Sequence, residues 1–540
     1  MANIPIRDLG AVGVVTDTEP FNLPINAFSR ANNVRFHNGK IGRSPVFRSV
    51  ASWSSGSLAP QHILGLKSSG GYDTIFMVTD DYVINEVSST GSLTNRSGSI
   101  SASSTVKSFT DTNLADVQYI NREDRVPVFR APSGTNFADL TNWDANWRCG
   151  SLRAFGDFLV AVNITEGSTS YPNRVRFSDI ATANAVPSSW DAADATKSAG
   201  FNDLVEMTTP IIDAQVLGNA LMIYSQDQVW QMNFVGGQFI FNFTKRFSDA
   251  GVINQNCVVE VLGRHYVFDT NDIYVTDGNT HESIVEGRVK DYIFNSIKNS
   301  VSDRFFVTHN SDLEEIYFCY VSGDDMVSFT NTTGCNRAAV FNYRSNTWSF
   351  MDLPNVYGAA SASVTSVTTY ADVGSKTYET IGGTYYSQEA GFDRHTVMCG
   401  RADTTHGLTT HKIWGVDPAD SGTLTYSMDT VATKPIKLER IGIDLDELQL
   451  PLVGNKVVNK ITPQIDTPNV DKSFSFTFGA SQLGSTAPSY GTAQTLNITT
   501  DYKLDSRASG RYLSHKLDIS DIKDFSYSGF DLDVMVTGRR

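Results

Sequence analysis

Short hydrophobic or alternating segments recur along the chain, and each ends at Gly, Asn, Asp or Ser. Their period is two rather than 3.6, which is typical of half-buried β-strands. In one of them, Phe474, Phe476 and Phe478 alternate with Ser and Thr, so the three rings are expected on one face of a strand. Strands are predicted in this way at Thr74–Thr79, Phe158–Val162, Leu221–Tyr224, Phe239–Phe243, Tyr266–Phe268, Ile273–Thr276, Glu315–Val321, Ala339–Tyr343 and Phe474–Phe478.

Two pairs of residues mark turns next to predicted strands. Gly236-Gly237 lies between two apolar segments and predicts a hairpin. Asp277-Gly278 directly follows the strand predicted at Ile273–Thr276. This pair favours a type I′ turn, because both central positions of that turn require positive φ.

The pattern of short strands bounds the fold class. A helix is predicted within residues 288–300, where Val289, Ile293 and Ile297 form an i, i+4, i+8 stripe. The strands, with turn signals every ~8–12 residues, favour an all-β sandwich, barrel or propeller. A chain of 540 residues is too long for one simple barrel. Four-stranded sheets arranged radially would use this length and shelter their edges, with irregular blades because no exact repeat occurs.

Three regions are expected along the chain. Residues 1–60 form a Pro-containing, turn-rich N-terminal segment that is expected to pack on a platform. Residues 61–430 carry the densest hairpin pattern and form the propeller body, and residues 431–540 form a separate C-terminal sheet domain. Polar tracts interrupt the body at 91–104 and 359–384, and the second is expected to be an exposed loop or an extended arm.

Composition and charge narrow the function classes. Acidic residues outnumber basic ones, 58 to 43, which gives a formal net charge of −15. Affinity for a nucleic-acid backbone comes mainly from Lys and Arg, so this chain is not expected to grip DNA, although DNA can slide past it. The five cysteines are widely spaced without a CxxC pair, which excludes zinc ribbons and fits assembly in a cytoplasm. Neither a secretory signal nor an apolar run of about 18 residues occurs, so no membrane span is expected.

The sequence contains no motif for a catalytic, cofactor or metal site. GxSxG, HExxH, GxxxxGK[ST] and strand-linked GxGxxG are all missing, so neither an enzyme activity nor a cofactor is expected. His406 and His411 have a spacing that suits neither one strand face nor one helix face, so surface loop histidines are favoured over metal ligands. The acidic clusters at 269–272 and 444–447 lack the spacing of a calcium loop and are interpreted as turns.

One basic segment receives a structural interpretation. Arg174 and Arg176 are expected to share a strand face, and Ser178, Asp179 and then Trp190 follow them. The order Ser-Asp followed by Trp is similar to the Asp-box turn of sialidase propellers, but this Trp lies too far from the Asp. No arginine triad for a carboxylate accompanies the segment, so a structural strand edge is favoured.

Several segments, in their serial order, carry a resemblance to one known family. The first is an Asn-Asn-Val-Arg-Phe strand with a turn at Gly, and the others combine basic, aromatic and glycine-turn positions further along the chain. The signature residues are Asn32, Asn33, Val34, Arg35, Phe36, Gly39, Arg174, Arg176, Ser178, Asp179, Trp190, Gly236, Gly237, Asp277, Gly278, Trp348, Gly510, Arg511, Gly538, Arg539 and Arg540. In these positions the chain resembles the tail nozzle proteins of short-tailed bacteriophages, β-propeller proteins that continue the tail tube below the adaptor.

The resemblance implies a fold and a function. The implied fold is all-β: an irregular, six-bladed β-propeller with an additional β-sandwich or platform layer from the C-terminal region. The implied function is that of a non-enzymatic virion protein, assembled in the host bacterial cytoplasm and located in the virion tail. Its partners would be its own copies in a homohexamer, the tail adaptor protein, tail fibre or spike proteins, and double-stranded DNA that passes through the lumen without sequence recognition.

The acidic composition is compatible with a DNA conduit. Six copies at −15 carry −90 in total, and carboxylates that face a lumen would repel the phosphates and let DNA slide. Acidity that serves solubility alone stays open as an alternative. A glycan-binding or glycan-degrading tail propeller also stays open, since two convergent carboxylates in a pocket would give it a mechanism. A head-closure protein of the same virion is the third alternative.

Overall fold

The structure is a computed structural model that describes residues 2–67, 73–88, 91–100, 108–237, 239–363, 394–417, 429–445, 454–484, 487–520 and 523–538. β-Strands dominate these residues, which confirms the all-β prediction. The predicted helix is also confirmed: it spans Lys290–Ser296, and Ile293 is buried on its inner face. Among the described residues, no helix is long and apolar enough to cross a bilayer. Short 3₁₀ helices lie at Pro20–Asn22, Asn299–Arg304 and Thr404–His406.

In the described part of the chain, five separate sheets, each of four antiparallel strands in chain order, are blades of a β-propeller, as predicted. The first blade consists of Pro60–Lys67, Asp73–Thr79, Ile84–Val87 and Leu93–Asn95. The second consists of Phe109–Leu114, Val117–Arg122, Val128–Arg130 and Ala138–Asp139. The third consists of Trp147–Phe155, Phe158–Glu166, Thr169–Phe177 and Gly200–Asp203. The fourth consists of Ile211–Leu217, Ala220–Ser225, Val229–Phe234 and Phe241–Phe247. The fifth consists of Val258–Val261, Arg264–Phe268, Ile273–Thr276 and His281–Ser283.

Apolar side chains fill the spaces between neighbouring blades. The first strand of each blade packs beside the first strand of the next, so these strands surround the propeller axis. Between the third and fourth blades, the Phe158 and Phe241 rings lie 5.0 Å apart, edge to face. Between the second and third, Trp190 meets Trp143 at 4.7 Å. Burial of one such apolar side chain stabilises the fold by about 1.5–3 kcal/mol, so packing between the blades holds neighbouring blades together.

Among the described residues, the strands that directly follow the fifth blade belong to one continuous sheet of 15 strands. One antiparallel group in it consists of Phe306–Asn310, Glu315–Tyr320, Cys335–Asn342 and the first half of Thr347–Ser363. A second antiparallel group consists of the second half of Thr347–Ser363, then Arg394–Gly400, Thr410–Asp417 and Val46–Ser54. The outermost strand of the second group therefore comes from the N-terminal part of the chain, just before the first blade.

A second β-region lies outside the blades and is built from two sheets with a shared apolar interior. One sheet consists of Ala2–Ile6, Val34–His37, Lys40–Arg43, Asn455–Asp466, Leu504–Asp505, Ser509–Gly510 and Ser526–Gly538. The other is part of the 15-stranded sheet and consists of Arg30–Asn32, Ile436–Ile443, Ser473–Ser481, Ser489–Tyr490, Gln494–Asn497 and Tyr512–Ile519, with Gly13–Val14 and Ala27–Phe28 joined to the same sheet. Phe474, Phe476 and Phe478 share one buried face, as predicted, and Phe476 lies 6.0 Å from Tyr527 of the facing sheet.

The two predicted turns have different outcomes. The hairpin at Gly236-Gly237 is confirmed, and both glycines have positive φ, 70° and 79°. The type I′ prediction at Asp277-Gly278 is wrong, because only Gly278 has positive φ, at 88°. The Asp277 carboxylate instead accepts the backbone N–H groups of the second and third residues after it, each at 2.8 Å, which stabilises a longer turn.

The N-terminal segment contributes strands to two different parts of the fold. Residues 2–43 contribute strands to the second β-region, whereas Val46–Ser54 completes a group in the continuous sheet. Of the tract at 91–104, residues 91–100 are described and include a short outer strand of the first blade. The tract at 359–384 lies outside the described residues except for its first five positions.

Candidate functional site

The first signature segment lies at a buried polar junction between the first antiparallel group of the continuous sheet and the second β-region. Asn33 adopts φ = +60°, a conformation that Asn tolerates better than most residues. Its amide nitrogen donates to Asp352 Oδ2 at 3.2 Å and to the carbonyl of Pro435 at 2.8 Å. Its Oδ1 accepts the N–H of Asp352 at 2.9 Å. One side chain therefore ties the N-terminal segment to the continuous sheet and to the C-terminal part of the chain. The members of the junction are Asn32, Asn33, Arg35, Glu315, Arg337 and Asp352.

A buried guanidinium forms the centre of the junction. Arg337 is 1% exposed and donates to Asn32 Oδ1 at 3.1 Å and to the Tyr292 hydroxyl at 2.8 Å. The Asp352 carboxylate lies 3.7 Å away, and the guanidinium lies 4.8 Å from the centre of the Phe350 ring. A buried charge is tolerated only when it is paired and hydrogen-bonded, so loss of either partner is expected to be costly.

Arg35 forms the second ion pair of the junction. Its Nε donates to Glu315 Oε1 at 3.0 Å, and its terminal nitrogen donates to the carbonyl of Leu313 at 3.0 Å. Burial raises the pKa of Glu315, and the neighbouring arginine offsets this only in part. On the opposite face of the same strand, Val34 and Phe36 are buried in the main apolar core. The signature segment thus alternates between an apolar core and a polar joint.

The second signature segment forms a cluster on the third blade in which two arginines share an acidic and an aromatic partner. Arg174 binds Asp203 with two nitrogens, at 2.7 and 2.8 Å, and Glu166 at 3.0 Å. Arg176 binds the same Glu166 at 2.6 Å. The Phe201 ring lies 4.2 Å from one guanidinium and 5.2 Å from the other. The predicted shared face is confirmed, and the partners all come from the same blade, which supports a structural strand edge.

The residues that follow this cluster stabilise the outer part of the same blade. Ser178 Oγ accepts the N–H of Leu159 at 3.0 Å. The Asp179 carboxylate accepts the Ser188 hydroxyl at 2.6 Å and a backbone N–H at 3.0 Å. Trp190 is 1% exposed and lies in the cluster between the second and third blades. These residues hold a loop against the blade.

The remaining signature residues lie at close contacts or strand ends. Gly39 has φ = +73° in the hairpin turn of the first segment. Trp348 is fully buried, and its Nε1 donates to the carbonyl of Ile284 at 3.0 Å, which joins the continuous sheet to the fifth blade. A Cβ at Gly510 would lie 2.8 Å from the carbonyl oxygen of Ser481, so only glycine fits there. Arg511 lies between the strands Ser509–Gly510 and Tyr512–Ile519, Gly538 ends the last strand, and Arg539 and Arg540 lie outside the described residues.

A polar cavity of about 160 Å³ lies on the propeller axis, and sequence analysis did not find it. It is lined by side chains from all five blades and from the continuous sheet: Gln61, His62, Asp111, Arg153, Gln215, Asn256, Arg304 and Tyr357 among them. A water occupies about 30 Å³, so the cavity has room for about five. Two of its polar side chains bond to each other across the cavity, with 2.8 Å between His62 Nε2 and Asp111 Oδ1.

Arg153 connects four consecutive blades at this cavity. It donates to both carboxylate oxygens of Asp213, at 2.9 and 2.6 Å, to Asn256 Oδ1 at 2.9 Å and to the carbonyl of Asp111 at 3.0 Å. The Ser151 hydroxyl donates to the same carboxylate at 2.6 Å. Burial alone would raise the pKa of Asp213, but Arg153 and these hydrogen bonds outweigh it and hold the pKa below its usual value. We name Arg153 and Asp213 the axial clamp.

The weaker candidates of the sequence have local partners. His406 Nδ1 lies 2.7 Å from Asp403 Oδ2. The interpretation of His411 as a surface loop residue is wrong, because it is buried in the strand Thr410–Asp417, where its Nδ1 accepts a backbone N–H at 3.0 Å. Asp269 and Asp272 each accept the N–H of the following residue, at 2.7 and 2.9 Å, which confirms their interpretation as turn residues. The cluster at 444–447 is described only at its first two positions. Within the described ranges, no group of three or more His, Cys, Asp or Glu is arranged to hold a metal ion.

The five cysteines are unpaired and buried. Burial raises the pKa of each thiol well above its usual range, for example at Cys257 and Cys319. Because the thiolate is the reactive form of cysteine, these side chains act as small apolar core residues.

The sequence matches no protein-family model and no curated protein. Solved structures with a similar fold include the WD40 β-propeller domain of Doa1, at 8% sequence identity and a TM-score of 0.36, over 68% of this chain and 96% of that one.

Proposed function

We propose that this protein is a structural subunit of the tail nozzle of a short-tailed bacteriophage and that it has no enzymatic activity. One observation carries the proposal: several of the signature residues join one sheet to another. Asn33 and Arg35 connect the N-terminal segment to the continuous sheet, and Trp348 connects that sheet to the fifth blade. A wall subunit acts through its shape, so the residues that distinguish it are expected at such joints rather than around a ligand.

For the propeller itself, we propose a closed ring of seven blades rather than the six predicted from the resemblance. The two four-stranded groups of the continuous sheet repeat the antiparallel order of the five separate blades. The strand Phe306–Asn310 packs beside the first strand of the fifth blade, and the strand Thr347–Ser363 packs against that of the first blade. Pairing of Val46–Ser54 with Thr410–Asp417 would then close the ring without a covalent bond. The two facing sheets of the second β-region would form the β-sandwich platform.

The path of DNA in this proposal runs between subunits. The axial cavity of one subunit has a volume of about 160 Å³, which is room for about five waters. A B-DNA duplex is far too large for this cavity, since its major groove alone is about 12 Å wide. The axial clamp also joins the blades across this region, so a duplex cannot pass along the axis of a single propeller. A ring of copies is therefore required for a conduit, and the net charge of −15 per copy disfavours tight binding of phosphates.

Exposed apolar side chains on the fourth blade support assembly with other chains. Phe234, Val235 and Phe239 are 59%, 55% and 74% exposed at the tip of the hairpin that turns at Gly236-Gly237. Contiguous exposed apolar groups are typical of protein–protein contacts. We assign this hairpin tip to contacts inside the assembled tail, in which the other partners are the tail adaptor and fibres or spikes, and the location is the virion tail.

Electron microscopy of the purified protein, together with its mass in solution, tests the proposal. We expect rings with six-fold symmetry and an open centre. The double substitution Phe234→Ser with Phe239→Ser is expected to reduce ring formation, whereas Leu262→Ser, at another exposed apolar position, serves as the matched control. Monomers at all concentrations would contradict the proposal. Hydrolysis of host polysaccharide by the protein would favour a glycan-degrading propeller instead.

A further inference from the structure

A second cavity, of about 220 Å³, lies over the hairpin formed by Val34–His37 and Lys40–Arg43. We name it the hairpin pocket. Arg35 and His37 lie on the outward face of the first strand, and the register places Gly42 opposite Arg35 and Lys40 opposite His37. Gly42 carries no side chain, and a Cβ there would lie 3.3 Å from the carbonyl oxygen of Phe525, which also lines the pocket.

The charge of this pocket is opposite to that of the protein as a whole. Arg35, His37, Lys40 and Arg43 line it, and Asp524 is the one acidic residue among its described lining residues. Glu315 neutralises part of the charge of Arg35. The Lys40 ammonium is exposed and has no ion pair within the described residues. In a chain with a net charge of −15, this local excess of cations is unusual.

The imidazole of His37 supplies a second, independent observation. Its Nε2 lies 2.9 Å from Asn38 Nδ2, and an amide nitrogen can only donate, so Nε2 is the acceptor. The ring proton of the neutral imidazole is therefore on Nδ1. That atom is buried and has no hydrogen-bond partner in the described structure. A buried donor without an acceptor is costly, and an oxygen atom of a ligand would satisfy it.

We propose that the hairpin pocket binds an oxyanion, either a phosphate or a carboxylate group. Lys40 supplies the charge, His37 Nδ1–H supplies a directed hydrogen bond, and Arg35 adds a positive field from the side. Charge-assisted hydrogen bonds of this kind favour compact anions with several acceptor oxygens. The inference goes beyond the proposed nozzle function and does not depend on it.

Titration of the protein with inorganic phosphate, and in a second arm with succinate, tests this inference by calorimetry. We expect saturable binding of at least one of the two anions, with one site per chain. Lys40→Ala is expected to weaken it by about tenfold or more, as is His37→Phe, because each removes one charged or directed contact. Lys245→Ala, which removes the same charge from the outer strand of the fourth blade, is the matched control and should bind normally.

The two arms distinguish the source of the oxyanion. Binding of phosphate alone would indicate a phosphate group, and binding of succinate alone would indicate an acidic side chain. Absence of binding in both arms, or equal affinity in the wild type and Lys40→Ala, would overturn the inference. Circular dichroism and a thermal unfolding curve of each variant establish that a loss of binding is not a loss of folding.

Discussion

The axial clamp permits a quantitative test of how the propeller is held together. The Asp213 side chain is 4% exposed and that of Arg153 is 13% exposed, so neither charge has much access to water. Removal of one partner from a buried ion pair leaves an uncompensated charge, which costs about 3–5 kcal/mol. We therefore expect Arg153→Met and Asp213→Leu each to lower the free energy of unfolding by about that amount, a large share of the roughly 5–15 kcal/mol of a typical domain.

The double variant separates the interaction from the packing. With Met at 153 and Leu at 213, no buried charge is left unpaired, so the cost should fall well below the sum of the two single costs, with a coupling of about 2 kcal/mol or more. Guanidinium unfolding, followed by tryptophan fluorescence, measures all three variants. Arg264→Met, at an exposed arginine of the fifth blade, is the control for loss of an arginine.

Single variants as stable as the Arg264→Met control, or costs that add without coupling, would show that the clamp does not hold the blades together. The pH dependence gives a second readout. The pKa of Asp213 is lowered in the folded state, so its contribution is present above the usual value of 3.8 and is lost as the pH falls through the folded pKa. Asp213→Leu should therefore flatten the acid limb of the stability profile.

Two further predictions concern the junction and the second β-region. Asn33→Ala should destabilise the protein by about 1–3 kcal/mol more than the control Asn184→Ala. Both variants replace an Asn in the left-handed conformation, at φ = 60° and 62°, but only Asn33 also bonds to Asp352. Equal denaturation midpoints of the two variants would contradict this. Burial among aromatic rings and the nearby Arg440 lower the pKa of His515 from 6.5 to about 3. The free energy of unfolding should therefore decrease as the pH falls below 6.5, by about 2 kcal/mol at pH 5, and His515→Phe should remove this decrease. An unchanged pH profile in the variant would count against this prediction.

Local pattern was sufficient to predict several features of the fold. The alternation of Phe474, Phe476 and Phe478 predicted a buried strand face, because side chains in a strand point to opposite sides in turn. The stripe at Val289 and Ile293 predicted the helix for the corresponding reason at a period of 3.6. In each case the signal lies within a few residues, where backbone geometry alone determines which side chains share a face.

Features that depend on distant residues escaped prediction. The axial clamp joins Arg153 to Asp213, 60 positions apart, and neither residue lies in a recognisable motif. The strand Val46–Ser54 pairs with Thr410–Asp417, although the two are separated by nearly the whole set of blades. The turn at Asp277 differs from the prediction because its carboxylate caps two backbone N–H groups, which no dipeptide preference specifies.

A cryo-electron microscopy reconstruction of the assembled protein would show whether this chain lines a DNA channel. We expect a ring of six copies in which a channel wide enough for duplex DNA runs between the subunits, while the axis of each propeller is closed at the clamp. A monomer, or an assembly whose centre is filled by protein from every subunit without room for a duplex, would contradict the claim that this chain is the wall of a conduit.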